Sequence, residues 1–109
     1  MDLIVKGRGL RITDQIRAVA EHKLSKIERL DPRLRRVEVE IIGERNPRID
    51  DSHRVEVTCD SAKDVFRAHG AGRDVDTALD EVVERLERQI TKRRGRLRNH
   101  RASRSDRLE

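Results

Sequence analysis

Between Arg88 and Ser105 the chain carries eight Lys or Arg side chains (Arg88, Lys92, Arg93, Arg94, Arg96, Arg98, Arg101 and Arg104) and no acid. The chemistry such a run can do is the binding of phosphate and other anions. At about 100° per residue, Arg85, Arg88, Lys92 and Arg96 fall within roughly 80° of one another on a helix, which makes them one positive ridge. Asp76, Asp80, Glu84 and Glu87 occupy a different sector, mainly in the first half, so the helix runs from acidic to basic. A helix macrodipole favours that order, but it acts mostly within the last turn, and these bases cover about three turns. Dipole compensation therefore accounts for part of the pattern, and a polyanion-binding surface accounts for the rest. The bland alternative is a solvated basic tail. A preceding helix adds Arg17, Lys23, Lys26 and Arg29, which join the ridge if the two helices lie side by side. Taken singly, each is as readily a snorkelling side chain.

The favoured polyanion is a nucleic acid, and the missing residue types narrow its kind. The chain has no Trp, no Tyr and one Phe, Phe66, expected in the core. Without an aromatic platform, unpaired bases cannot be stacked, so binding must rest on phosphate and shape. That favours a folded RNA over a single strand read by sequence. The four histidines (His22, His53, His69, His100) are scattered, and no metal-ligand or nucleophile motif is present. No cofactor, metal or small-molecule substrate is expected, and neither is catalysis. Gly7-Arg8-Gly9 and Gly70-Ala71-Gly72 are too short to cradle a phosphate and read as turn glycines. Asp50 and Asp51 read as a solvated turn, with a cation site as the sharper alternative.

Four strands and two helices must position these groups. Leu3 and Val5 alternate with polar neighbours in a strand that Gly7 and Gly9 bring to an end. Thr13 is placed to cap a helix whose stripe is Ile16, Val19, Ala20, Leu24, Ile27 and Leu30, and Asp31-Pro32 stop it. Val37, Val39 and Ile41, then Val55, Val57 and Cys59, alternate with polar residues in two strands, predicting a sheet with one wet face. KDVFRAHG is a fourth strand with Phe66 and Ala68 inward, and GAG loosens the chain before the last helix. Asp74 caps that helix, whose stripe is Val75, Leu79, Val82, Leu86, Ile90 and Leu97. The expectation is an α+β fold of order β-α-β-β-β-α, with a four-stranded sheet, both helices on one face, and a dsRNA-binding-domain-like order in its αβββα part. Residues 1–98 form the domain and 99–109 a flexible basic tail or the start of a linker.

Charged residues make up 43% of the 109 residues, yet Leu, Ile, Val and Phe number 28, enough to pack one core. Lone Cys59 excludes an intrachain disulfide and reads as a small core residue, a reactive thiol being the alternative. The N-terminal stretch lacks a signal-peptide core and no segment has the length of a membrane span, so a cytoplasmic protein without membrane partners is expected.

With that order in hand, GRGLRITDQIR, HKLSKIERL and above all GRDVDTALDEVVERLERQITKRRGRL resemble the ribosome hibernation promoting factor and ribosome-associated inhibitor family over nearly the whole chain. Asp76 stands where that family often carries an aromatic residue. The resemblance implies a non-enzymatic translation inhibitor that occupies the mRNA and tRNA channel of the small (30S) ribosomal subunit near the decoding centre and promotes hibernation. The positions that match the family pattern are Lys23, Lys26, Arg85, Arg88 and Lys92, with Arg93, Arg94 and Arg96 continuing the charge. These eight are the expected rRNA ligands, with Arg17 as a further candidate. Long members of the family pair two ribosomes through an additional C-terminal domain. This chain is therefore either a short member or the N-terminal part of a long one, its Arg- and Ser-containing tail favouring the latter. On its own it is expected to inhibit translation without pairing ribosomes. Two competitors stay open: a general double-stranded-RNA binder, and a protein-interaction domain using the wet sheet face (Glu38, Glu40, Arg54, Glu56, Thr58).

Overall fold

The structure, a computed structural model, describes residues 1–43 and 53–93 with their side chains, and continues the backbone of 94–108 as helix. Its elements are β1 (Asp2–Arg8), α1 (Asp14–Leu30), β2 (Leu34–Gly43), β3 (His53–Ser61), β4 (Val65–Gly72) and α2 (Val75–Leu108). They form one sheet in the order β1-β2-β3-β4, with β1 parallel to β2 and the other pairs antiparallel. A parallel pair needs a crossover, and α1 is that crossover.

Local chemistry sets the boundaries of the helices. Thr13 is in extended conformation and its side chain accepts a hydrogen bond from Ile16 N at 3.2 Å, which starts α1. At the other end Asp31 is again extended, donates its N–H to Ile27 O, and accepts from Arg33 N at 3.0 Å through its carboxylate. Asp74 starts α2 by accepting from Thr77 N at 2.8 Å.

The expected alternation holds in three strands. Val37, Val39 and Ile41 of β2, Val55, Val57 and Cys59 of β3, and Phe66 and Ala68 of β4 are all buried. Register places Val5, Val39, Val57 and Ala68 in one row across the sheet. Ala20, Leu24 and Ile27 of α1 and Ala78, Leu79, Val82, Leu86 and Ile90 of α2 complete the core. The other sheet face is polar, with Lys6 at 2.8 Å from Glu38 and Arg8 at 3.0 Å from Glu40. Cys59 is fully buried, and burial, helped by Asp60 and Asp31, pushes its thiol up to about 12. Thiolate is scarce at such a value, so Cys59 acts as a packing residue.

Two expectations are corrected. Gly7 is not a turn glycine but a residue of β1 opposite Ile41, with Gly9, at φ 74°, bending the chain after the strand. Gly70-Ala71-Gly72 is not a loosening turn: it is the last part of β4, and Gly70 and Gly72 are buried under α2. A Cβ on Gly70 would lie 2.7 Å from Ala78 O, and one on Gly72 would lie 2.8 Å from Thr77 Cβ. These glycines allow close approach of strand and helix. Asp50 and Asp51 lie outside the described residues, as do the side chains of Leu97 and of the expected flexible tail. Among the described residues no helix is long and apolar enough to cross a membrane.

Candidate nucleic-acid interface

The basic half of α2 presents two rows, each with a spacing of four residues. The first is Glu81, Arg85, Gln89 and Arg93, and it faces the outer edge of β4. Among the described residues β4 pairs only with β3, so alternate backbone groups point out of the sheet and need partners. The row supplies them. Arg85 Nη1 donates to His69 O at 2.5 Å, Gln89 Nε2 donates to Arg67 O at 2.7 Å, and Ala71 N donates to Glu81 Oε2 at 3.4 Å. Arg93 Nε lies 3.4 Å from Asp64 Oδ1, in the turn before β4. Arg85 also meets Glu81 at 2.5 Å, and its side chain is 45% exposed.

The second row is Glu84, Arg88 and Lys92, about 60° further round the helix. Arg88 rests on Glu84 at 2.5 Å but is 74% exposed. Lys92 is exposed and has no ion-pair or hydrogen-bond partner among the described residues. An exposed pair such as Arg88–Glu84 is worth at most about 0.5 kcal/mol, so a phosphate can take the guanidinium over.

On α1, Lys23 hydrogen-bonds Asp80 and lies 3.6 Å from Asp76. The Asp80 bond, with the charge of both acids, holds its ammonium above the ordinary lysine value. Lys23 thus ties α1 to α2 while keeping only 21% of its side chain in solvent. Lys26, Arg17 and Arg29 are exposed and carry no ion pair among the described residues.

Of the eight predicted ligands, the structure therefore leaves Lys26, Arg88 and Lys92 most open and engages Lys23, Arg85 and Arg93 in contacts between elements. Arg94 and Arg96 sit on the helical backbone, and their side chains lie outside the described residues. The sequence grouped Arg85 with Arg88 and Lys92 because they share a helix sector; the rotation of α2 against β4 divides that sector. Phe66 is only 8% exposed and part of the core, so among the described residues no aromatic ring is available for stacking. Arg33 and Lys63 escaped the sequence reading. They are single bases in separate loops, yet they line one cleft with Arg93, a meeting that carries no local signal.

Comparison with known proteins follows the same lines. The family model described as "Sigma 54 modulation protein / S30EA ribosomal protein" matches residues 3–98. The ribosome hibernation promotion factor of Mycobacterium tuberculosis is 31% identical over 100 residues, covering 91% of this chain and 46% of that protein. The ribosome hibernation promoting factor of Escherichia coli K12 is 27% identical over 100 residues, covering 92% of this chain and 100% of that protein. The crystal structure of the N-terminal domain of Protein Y from Thermus thermophilus superposes with a TM-score of 0.71 at 29% identity, over 84% of this chain and 98% of that one. The chain spans about half the length of the mycobacterial relative and the full length of the E. coli one.

Proposed function

The chain belongs to the Sigma 54 modulation protein / S30EA ribosomal protein family, and from that premise we propose that it is a cytoplasmic, non-enzymatic ribosome-binding factor. In this reading it occupies the mRNA and tRNA channel of the small subunit near the decoding centre, inhibits translation and promotes hibernation. The observation that carries it is the exposed second row of α2, Arg88 and Lys92, with Lys26 on α1, in a domain whose one aromatic ring is buried. Such a surface grips phosphates and shape, and a structured rRNA presents both. Lys23, Arg85 and Arg93 contribute from half-held positions, and Arg94 and Arg96 extend the charge along the helix.

Competition on purified 30S subunits tests the channel assignment. A short mRNA with initiator tRNA should displace the chain, and pre-bound chain should block both while lowering the output of a cell-free translation reaction. Simultaneous binding of chain, mRNA and tRNA to one subunit would refute occupancy of the channel.

A further inference from the structure

One end of the domain gathers positive charge from Arg33 and Lys63, which neither the ridge nor the family motif includes, beside Arg93, which the motif does include. There α1 ends at Leu30, β2 begins at Leu34, β3 turns into β4, and α2 passes at Ile90 and Arg93. The register fixes this meeting: Leu34 lies opposite Ser61, and Asp60 opposite Val65. The cleft between them is lined by Asp31, Arg33, Ser61, Lys63, Asp64 and Arg93 over a floor of Phe66 and Ile90.

The acids of this cleft are already engaged. Asp31 is buried and its carboxylate accepts from Arg33 N; Asp64 Oδ1 takes Arg93 Nε, and Asp64 O closes the turn by accepting from Ser61 N at 2.8 Å. The bases are not. The side chains of Arg33 and Lys63 are exposed and unpaired among the described residues, and only the Nε of Arg93 is held. With its 3.4 Å ion pair at Nε, the half-exposed guanidinium of Arg93 keeps both terminal nitrogens for a bidentate bond to phosphate.

We propose that Arg33, Lys63 and Arg93 form a second phosphate-binding site for small-subunit rRNA, at the end of the domain, so that the RNA surface wraps from α2 around the β3–β4 turn. The assignment rests on the ribosome-binding reading above. It adds two contacts from loops to a surface otherwise made of helices, and it fixes where along α2 the RNA must cross.

The test is 30S affinity, by sedimentation across a salt series, for the wild-type chain, for Arg33→Glu with Lys63→Glu, and for Arg11→Glu with Arg73→Glu. The two variants change net charge equally, but Arg11 and Arg73 lie just before the starts of α1 and α2, at the far end of both helices. The first variant should lose about 10-fold or more in affinity, and its log–log salt slope should become shallower by about 1 to 2; the second should lose less than about 3-fold. If charge reversal lowers the melting temperature, Arg33→Gln with Lys63→Gln should still lose about 3-fold on a fully folded protein. Equal losses in the two reversal variants, or wild-type affinity in the first, would overturn the site. A wild-type chain that fails to bind 30S at all would instead bring down the ribosome-binding reading, and the site with it.

Discussion

Two rows of the same helix, sixty degrees or so apart, use similar residues for opposite ends. Both run from Glu to base, Glu81–Arg85–Gln89–Arg93 and Glu84–Arg88–Lys92. The first is fastened to the backbone of β4 and paired with the turn before it; the second, among the described residues, pairs only within itself and is otherwise exposed. The difference is not in the side chains. It comes from the neighbour each row is turned toward, because an edge strand offers carbonyls that a guanidinium or amide can cap, whereas solvent leaves the charge for a partner. The rotation of the helix thus decides how far an arginine is a strut and how far a ligand, and Arg93, paired only at Nε among the described residues, stands between the two.

The largest effect expected is on the approach that makes the division possible. Gly70→Val would drive a side chain into Ala78 O and Val82 and push α2 off β4. Urea unfolding should show a loss of about 3 kcal/mol, as for other overpacked sites. Next comes the second row. Arg88→Glu with Lys92→Glu should weaken 30S binding by more than about 10-fold while stability stays within about 0.5 kcal/mol. A folded double variant with unaltered affinity would break the assignment of that row. The first row should behave the other way: Arg85→Ala with Gln89→Ala leaves two edge carbonyls to water and should cost about 1 kcal/mol in stability with less than about a 3-fold loss of affinity.

The smallest effect concerns the start of the helix. The backbone N–H and hydroxyl of Thr77 hold the Asp74 carboxyl below the ordinary aspartate value, with the charge of His53 and Lys23 adding. A depressed carboxyl contributes stability above its unfolded pKa, and the contribution is lost as pH falls through the folded value. Between about pH 6 and pH 3 the wild type should therefore lose slightly more stability than Asp74→Asn, which keeps the cap without the titration. Parallel pH profiles would remove the charge from the account of this cap.

Much of the scaffold was legible in the sequence. Val37, Val39, Ile41, Val55, Val57 and Cys59 alternate because one sheet face is buried, and Thr13 and Asp74 stand where orphan N–H groups need acceptors. What could not be read were consequences of docking. Gly70 and Gly72 looked like punctuation, and only the distance to α2 shows why no Cβ is tolerated. Arg85 looked like Arg88, since a helical wheel knows the angle between two residues and not which angle meets the sheet. Lys23 looked free until Asp76 and Asp80 were brought against it by the packing of α1 on α2.

Co-sedimentation of the chain with purified 30S subunits, 50S subunits and a plain RNA duplex, at about 50 and 200 mM salt, tests most directly the claim that the surface is shaped for one ribosomal site. Retention on 30S alone, persisting at the higher salt, is the predicted result. Equal binding to all three, lost together as salt rises, would contradict it and reduce Arg88, Lys92 and their neighbours to a general polyanion patch.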